Sequence, residues 1–246
     1  MLYDITLEPV ASPRAQRSDG SQARERLLHA ALKLFADKGY AKASTREIAL
    51  AAGTNIAAIS YYFGDKAGLY RATFTEPLGS PQNDIARYNQ PHLSLKASLQ
   101  GYFSSFVEPI KQGELVQQCL RLHLREMLDP TSQWAEELDK DVKQPHAALV
   151  SVLCRHLGLV QADDDVHRLA FAIAGLAVQL FVSREVIDDV RPSLTASAPA
   201  IDVWTARLVG YACALVQSES DRRSQAASPA GAANGKTPTR TKGISA

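Results

Sequence analysis

Apolar residues recur three and four positions apart along most of this chain, which is the period of an amphipathic helix. A first helix opens at Ser21 or Gln22 and ends at Gly39, and its apolar stripe consists of Leu27, Leu28, Ala31, Leu32, Leu34 and Phe35. We find no segment with the sustained period of two that a half-buried strand requires. The pattern therefore predicts an all-α fold of about nine helices.

A short second helix is predicted next. Ser44 and Glu47 have the spacing of a capping box, in which each satisfies a free backbone N–H of the first turn. This spacing predicts a helix over about 45–52, and Gly53 ends it.

The third helix is predicted over about 56–63, with Thr54 or Asn55 as its cap and Gly64 at its end. One face carries the large apolar residues that we expect in the core, namely Ile56, Ile59 and Phe63. Two short helices around a tight turn form the helix-turn-helix pattern, whose second helix enters the DNA major groove.

The opposite face of the third helix carries only small or hydrogen-bonding residues: Thr54, Asn55, Ala57, Ala58, Ser60 and Tyr61. Asparagine can read adenine, and alanine methyl groups can contact thymine methyl groups. This face therefore suits a DNA groove. The alternative is a short surface helix of a bundle that happens to be polar.

Four residues around this helix are candidates for phosphate contacts. Thr45 and Arg46 begin the second helix and Lys66 begins the fourth, where free N–H groups and the helix dipole favour an anion. Tyr61 can donate a phenolic hydrogen bond. Taken singly, Arg46 can be a solvated charge and Tyr61 a half-buried ring, but their joint spacing indicates a nucleic-acid interface.

Longer helices follow in the rest of the chain. The fourth helix is expected to break at Pro77, and the Gly- and Pro-rich stretch from there to Pro91 is expected to be a flexible point that lets this helix move. Further helices are predicted over 94–113, 114–128, 131–158, 163–190 and 200–218.

The helix over 163–190 would be about 40 Å long at a rise of 1.5 Å per residue. Its apolar positions cover more than one stripe, so one face can pack on the core and another on a partner. With the last helix it predicts a four-helix dimer interface across a two-fold axis, formed by Ile173, Leu176, Leu180, Trp204, Leu208 and Tyr211. Burial within one chain is the alternative.

A ligand pocket is expected among these longer helices, because pockets combine aromatic walls with a few polar groups. The candidates are Phe103, Phe106, His123, Trp134, Phe171 and Gln179. Of these, His123 between Arg121 and Arg125 is the favoured polar contact. Core packing is the alternative for each of them.

Charge is divided unevenly along the chain. Residues 1–72 carry ten Lys and Arg against seven Asp and Glu, residues 219–246 carry five against two, and the part between carries twelve against seventeen. Basic ends and an acidic middle are typical of a nucleic-acid-binding module joined to a body that does not touch phosphate.

These patterns together predict four segments. A flexible arm occupies residues 1–20, a helix-turn-helix domain 21–66, a ligand-binding and dimerisation domain 67–218, and a disordered basic tail 219–246. The tail either adds weak attraction to DNA or has no role.

Several classes of protein are not expected from this sequence. The sequence has no Walker loop, GxSxG elbow, HExxH helix or dinucleotide fingerprint, so we expect no enzyme and no cofactor. The six histidines lack metal-ligand spacing and the three cysteines suit a core, so no metal is expected. No apolar run reaches the roughly 18 to 20 residues of a membrane span. We therefore expect a soluble cytoplasmic protein.

The segment from Ala23 to Tyr70 resembles the N-terminal domain of TetR/AcrR-type bacterial transcriptional regulators. The resemblance rests on Leu34-Phe35-Ala36-Asp37-Lys38-Gly39-Tyr40, Ser44-Thr45-Arg46-Glu47-Ile48-Ala49, Ala52-Gly53 and Tyr61-Tyr62-Phe63-Gly64-Asp65-Lys66-Ala67-Gly68-Leu69-Tyr70. Within that family, residues 55–63 are most similar to the CecR-like branch.

The resemblance implies DNA contacts at Thr45, Arg46, Thr54, Asn55, Ala57, Ala58, Tyr61, Tyr62 and Lys66. It also implies a homodimer that reads a palindromic operator in double-stranded DNA, usually as a repressor, and a small-molecule effector that triggers release. Two alternatives stay open: an architectural DNA-binding protein that responds to no ligand, and a helical small-molecule-binding protein or enzyme that retains a DNA-binding head.

Overall fold

The computed structural model describes residues 13–77, 81–111, 113–132, 134 and 138–227, and it places eleven α-helices and no strand in them. The all-α prediction is confirmed, with more helices than the nine or so expected. The helices are α1 (Pro13–Lys42), α2 (Thr45–Ala51), α3 (Ala57–Phe63), α4 (Lys66–Thr75), α5 (Pro81–Tyr88), α6 (Leu95–Ile110), α7 (Glu114–Leu128), α8 (Gln144–Leu157), α9 (Asp164–Val182), α10 (Arg184–Val190) and α11 (Ala198–Ala227).

Helices α1 to α4 form the head of the molecule. The apolar stripe of α1 packs against α2, α3 and α4, and its core contains Leu27, Leu32, Phe35, Ile48, Ile59, Leu69 and Tyr70. The first helix was predicted to end at Gly39. The structure has a kink there, because Gly39 has a φ of 78°, and the helix continues after the kink to Lys42. The stripe read from the sequence therefore defines the core of the head.

The corner between α3 and α4 is held by close backbone contact. A Cβ atom added at Gly68 would lie 2.0 Å from the carbonyl oxygen of Phe63, so only glycine fits there. The Asp65 carboxylate accepts a hydrogen bond of 2.6 Å from the Gly68 N–H and caps α4. Glycine and cap together fix the angle between the two helices.

Helices α5, α6, α8, α9 and α11 form the body, in which α11 packs along α6. Its core contains large side chains from each of these helices, among them Tyr88, Leu99, Phe103, Leu149, Leu153, Ile173 and Leu208. The body thus has a hydrophobic core separate from that of the head.

Helix α7 joins the two parts. It packs along α1, and its buried Cys119 and Leu122 belong to the core of the head. Glu126 is 1% exposed, and its carboxylate accepts hydrogen bonds from the Tyr70 hydroxyl and from the Thr131 N–H at 2.8 Å. Burial and this carboxylate raise the pKa of Tyr70. The head core therefore includes residues beyond the predicted boundary after residue 66, and that boundary stays a prediction.

The prediction of a single long helix over 163–190 is wrong. The chain leaves helical geometry at Ser183 (φ −102°, ψ 15°), and this break separates α9 from α10. The Ser183 N–H bonds the carbonyls of Gln179 and Phe181, which tightens the last turn of α9. The Gln179 amide also donates to the Ser183 hydroxyl at 2.6 Å. The break gives the body a short extra helix beside α7.

Both ends of the described chain are more helical than predicted. Helix α1 begins at Pro13, within the predicted arm, and α11 continues to Ala227, within the predicted tail. The extension of α11 is anchored by Arg223, which donates to Asp163 at 2.8 Å and to Glu219 at 2.6 Å. The remaining parts of the predicted arm and tail, 1–12 and 228–246, lie outside the described residues.

The Gly- and Pro-rich stretch between Pro77 and Pro91, which was expected to be a flexible point, contains helix α5. Tyr88 is almost fully buried, and its hydroxyl donates to the Pro145 carbonyl oxygen at 3.3 Å. Tertiary packing of this tyrosine against α6 and α8 explains why the helix forms where the local sequence favours turns.

Helix α9 is long and apolar enough to cross a membrane by length and composition alone, and 33% of its apolar window is buried inside the chain. The core helix of a globular protein meets the same two criteria. Its buried residues, Val166, Leu169, Ala170, Ile173, Ala177 and Leu180, form one face in the core of the body.

Candidate nucleic-acid interface and ligand cavity

The N-terminus of α2 is capped by Ser44, which forms one half of the predicted capping box. The Ser44 hydroxyl accepts a hydrogen bond of 3.1 Å from the Glu47 N–H. The Glu47 carboxylate pairs with Lys38 of α1, so the side chain of Glu47 ties α2 to α1. Arg46 in the first turn is exposed and Thr45 is half-buried, which leaves the guanidinium free to meet a phosphate.

The start of α3 differs from the prediction by one residue. The Asn55 carboxamide oxygen accepts a hydrogen bond of 3.0 Å from the Ala57 N–H, so Asn55 closes the first turn and Ile56 precedes the helix. Ile56 is 48% exposed, whereas Ile59 is 2% exposed. The expectation that Ile56 is a core residue is wrong, because its position ahead of the first turn points it away from the face that Ile59 occupies.

The outward face of α3 is formed by small and hydrogen-bonding side chains. Asn55, Ala57 and Ser60 are exposed, and Tyr61 is 82% exposed. The remaining predicted contacts of this segment, Thr54, Ala58 and Tyr62, are half-buried. The face has no bulky side chain except Tyr61, whose ring stands 4.8 Å from that of Tyr62.

Lys66 begins α4 beside this face. Its ammonium lies 4.5 Å from the centre of the Tyr40 ring, in a cation–π contact. Burial lowers the pKa of this ammonium. The contact places the Lys66 charge at the N-terminus of α4, where the helix dipole adds to its attraction for an anion.

The ends of these short helices are held by two arginines of α1. Arg24 donates to both carboxylate oxygens of Glu76 at 2.7 and 2.6 Å and lies 4.8 Å from the centre of the Phe63 ring. Arg26 donates to the Ala52 carbonyl oxygen at 3.2 Å, at the end of α2. The outward face of α3 is therefore presented by a fixed frame.

One exposed apolar residue of the head was not identified from the sequence. Leu50, at the end of α2, is 80% exposed. It follows the buried Ile48 by two positions, which turns it to the opposite side of the helix. That spacing was the available signal.

The six residues predicted to line a ligand pocket do not come together. Phe103 is fully buried in the core of the body and Phe106 packs against that core, whereas Trp134 belongs to the core of the head. The His123 Nδ1 donates to the Cys119 carbonyl oxygen, 2.8 Å away, and the ring of His123 contacts Phe74 and Trp134. Phe171 is 62% exposed and Gln179 is also exposed.

A cavity of about 530 Å³ lies elsewhere, between α7 and the junction of α9 with α10. One wall carries Gln117, Leu120, Arg121 and Leu124 of α7, and the other carries Phe181, Arg184, Glu185 and Asp188. None of the six predicted ligand residues lines it. The sequence signal was the second stripe of α7, at spacings of three and four from Gln117 to Leu124.

Two family models match the chain. Residues 27–73 match the bacterial regulatory proteins of the tetR family, and residues 95–217 match the C-terminal domain of the HTH-type transcriptional dual regulator CecR. The second match alone spans half of the 246 residues. The chain belongs to the TetR family, in its CecR-like branch. It therefore combines the helix-turn-helix head of that family with a CecR-like C-terminal domain.

Individual relatives agree with the family. The HTH-type transcriptional dual regulator CecR of Shigella flexneri is 57% identical to this TetR-family chain over 53 residues, which are 22% of this chain and 23% of that protein. The chain thus spans less than a quarter of the length of that relative in the match.

Solved structures of regulators share the fold. HlyIIR, a hemolysin II transcriptional regulator, matches with a TM-score of 0.56 at 20% identity, over 78% of this chain and 97% of that one. A putative transcriptional regulator from Saccharomonospora viridis in complex with choline matches with a TM-score of 0.53 at 17% identity, over 78% and 95%. The resemblance to the family and the predicted fold class are confirmed.

The residues predicted for the dimer interface of this TetR-family regulator lie in different places. Ile173, Leu180 and Leu208 are buried in the core of their own chain, and Leu176 and Trp204 pack against it. Tyr211 is 54% exposed. Ile173, Leu180 and Leu208 therefore pack within one chain, which was the alternative to a dimer interface.

The same two helices present other residues to solvent. Phe171 of α9 and Val203 and Tyr211 of α11 are more than half exposed. Gly175 and Gly210 lie on these helices, and nothing is found within 4 Å of a Cβ added to either. Small and apolar residues are therefore exposed on the outer faces of α9 and α11.

Proposed function

We propose that this regulator is a homodimeric, ligand-responsive repressor that binds a palindromic operator in double-stranded DNA and is released by a small-molecule effector. The observation that carries the proposal is the outward face of α3, formed by Asn55, Ala57, Ser60 and Tyr61 between the N-termini of α2 and α4. This face has the shape and chemistry for a major groove, and the flanking helix ends suit phosphates.

The nine contacts implied by the family resemblance divide by chemistry. Asn55, Ala57 and Ala58 would meet base edges, and Arg46 and Lys66 would meet phosphates on either side of the groove. The remaining candidates are Thr45, Thr54, Tyr61 and Tyr62. The exposure of Arg46 and the position of the Lys66 ammonium over Tyr40 support these roles.

A homodimer would bring two such faces to two half-sites about one helical turn apart. The outer face of α9 and α11, with Phe171, Val203 and Tyr211, is the surface that we propose for the partner. Gly175 and Gly210 would allow the helices of two subunits to approach closely. The predicted residues Leu176 and Trp204 border this face.

Helix α7 is the element through which an effector would act on the head. Its Leu120 and Leu124 line the cavity, and its Cys119 and Leu122 lie in the core of the head. The Arg125 guanidinium also donates to the Ala36 carbonyl oxygen of α1 at 3.3 Å. An effector that shifts α7 would therefore change the position of α1 and of the DNA-binding face.

The decisive experiment is a footprint of the purified protein on DNA flanking its own gene, repeated with candidate effectors. We expect a protected palindrome that an effector removes. Arg46→Ala should lower the slope of log affinity against log salt by about one unit, whereas Lys96→Ala in the body, an equal loss of charge, should leave it unchanged. Absence of a protected palindrome would contradict the proposal, and protection that no ligand alters would favour the architectural alternative.

The dimer has its own test in sedimentation. Gly210→Leu adds bulk to the proposed partner face, where the single chain has open space, so we expect a folded monomer. Gln100→Leu places the same side chain at an exposed site of α6 and should leave the dimer intact. A dimeric Gly210→Leu protein would move the interface to another surface.

Two further expectations belong to this proposal: the protein acts in the cytoplasm, and it performs no catalysis. The segments 21–66 and 67–218 would correspond to DNA binding and to effector binding with dimerisation. The enzyme alternative predicts turnover of a bound small molecule, which product analysis after prolonged incubation would detect.

A further inference from the structure

The cavity between α7 and the α9–α10 junction has an apolar interior. Leu120 and Leu124 line it from α7, and Leu180 and Phe181 line it from the end of α9. Its volume of about 530 Å³ falls in the range of small-molecule sites. The interior therefore suits the apolar part of a ligand.

The charged residues of the cavity form two ion pairs. The Arg121 guanidinium of α7 reaches across to the Glu185 carboxylate of α10 at 2.9 Å. The Arg184 guanidinium bonds the Asp188 carboxylate at 2.8 Å, and Asp188 also accepts a hydrogen bond from the Thr195 hydroxyl. Of the two carboxylates, Asp188 is held by two groups and Glu185 by one.

Glu185 is also the more easily displaced of the two. Its side chain is 86% exposed, and that of Asp188 is 44% exposed. A Glu185 carboxylate that left Arg121 would be solvated at once, so the exchange leaves no buried charge without a partner. Arg121 is therefore available to another anion.

The arginines also give the cavity more donors than acceptors. Each guanidinium carries five N–H groups. Among the residues that the structure describes, Arg121 uses one nitrogen on Glu185 and Arg184 uses one on Asp188. The N–H groups that remain favour a ligand with acceptor oxygens, and a planar carboxylate matches a guanidinium in two parallel bonds.

We propose that this cavity binds an amphipathic organic anion, whose carboxylate replaces Glu185 on Arg121 while its apolar part lies against Leu120, Leu124 and Phe181. This deepens the proposed function and rests on it only for the effect on DNA. A carboxylate on Arg121 acts directly on α7, the helix whose opposite face packs into the head. An anion is favoured over a cation because each arginine keeps N–H groups that its carboxylate partner does not use.

Binding is tested on the protein alone by calorimetry, with three naphthalene probes of nearly equal size. These are 1-naphthoate, the neutral 1-naphthalenemethanol and the cationic 1-naphthylmethylammonium. We expect 1-naphthoate to bind at least about tenfold more tightly than the alcohol, the effect of one charge-assisted hydrogen-bonded pair. The cation should bind more weakly than either.

Two variants separate the ion-pair exchange from simple burial of the ring. Arg121→Met keeps the apolar stem and removes the charge, so the preference for naphthoate over the alcohol should disappear while alcohol binding remains. Glu185→Gln removes the competing carboxylate, so naphthoate should bind more tightly than it does to the original protein. Circular dichroism checks that both exposed-site variants fold.

The inference is overturned if the three probes bind equally, if the cation binds best, or if Arg121→Met leaves the preference intact. It is also overturned if a second copy of the chain fills the cavity. In that case the probes would bind only after the protein has been diluted until it is monomeric. Failure of the wider proposal is distinguishable: naphthoate binding without a protected palindrome contradicts only the repressor function, and a palindrome without naphthoate binding contradicts only this inference.

Discussion

In the head, the hydrogen bonds that cap the first turns of α2, α3 and α4 join residues two or three positions apart: Ser44 with Glu47, Asn55 with Ala57, and Asp65 with Gly68. In the body, the ion pair across the cavity joins Arg121 and Glu185, which are 64 positions apart. The first kind of contact can be read in a short stretch of sequence. The second exists only after distant helices have packed.

The largest expected effect is at the corner of the head. Gly68→Ala places a methyl group 2.0 Å from the Phe63 carbonyl oxygen, so we expect the free energy of unfolding to fall by about 3 kcal/mol. Gly175→Ala, made in the monomeric Gly210→Leu protein, is the matched change in the body, where the added Cβ meets nothing within 4 Å in its own chain, and a gain of up to about 1 kcal/mol is expected. Urea denaturation of both variants measures the contrast, and equal effects would show that the corner tolerates a side chain.

The joint between head and body should be the next most sensitive site. Glu126→Ala leaves the buried Tyr70 hydroxyl and Thr131 N–H without their acceptor, and we expect a loss of about 2 kcal/mol in the free energy of unfolding. Glu126→Gln keeps an acceptor oxygen in place and should lose less. If the two variants are equally stable, the hydrogen bonds of Glu126 do not hold α7 to α4.

The third effect separates two roles of one side chain in the head. Asn55→Ala removes the hydrogen bond to the Ala57 N–H and should cost about 1 kcal/mol of stability. Asn55→Ser keeps an oxygen that can cap the helix, so it should restore stability. It should still lose roughly 1 to 3 kcal/mol of discrimination at one base pair, measured by binding to substituted operators. If Asn55→Ser restores both the stability and the base-pair discrimination, Asn55 acts only as a helix cap.

The head was predictable to the extent that its contacts are local. The cap at Ser44 and the glycine at the end of α3 follow from the sequence. Ile56 was assigned to the wrong environment because a start one residue later changes which side chains face the core. The prediction depended on one boundary residue, which is the least certain part of a helix to place.

The body was predictable in its helices and not in its cavity. Phe103 and Trp134 have the aromatic spacing of either a pocket or a core, and only packing decides between the two. The break at Ser183 has no proline or glycine to mark it, yet it creates the α10 helix that carries Glu185. Sequence reasoning therefore could not locate the cavity, because its two walls come together only through long-range contacts.

The smallest expected effect is a pH dependence in the body. Arg223 holds the pKa of the Asp163 carboxyl well below its usual range. The stabilisation is therefore present above the ordinary carboxyl pKa and is lost as pH falls through the lowered value. Asp163→Asn keeps an oxygen for the N-cap of α9 and removes the charge, so its melting temperature should be slightly below that of the original protein at pH 7.

The same difference should shrink as the solution is made acidic. A difference that persists unchanged to pH 2 would show that it does not arise from the charge of Asp163. The ion pair with Arg223 would then contribute nothing measurable. The test is a series of thermal melts of the two proteins in matched buffers.

The placement of Cys119 and Leu122 of α7 inside the core of the head has a consequence for modular evolution. A head cut after residue 66 would expose the apolar surface that α7 now covers. The segment up to residue 66 is therefore not expected to fold as an independent domain. Any exchange of DNA specificity between relatives, by recombination or by design, would have to carry a compatible α7 along with the head.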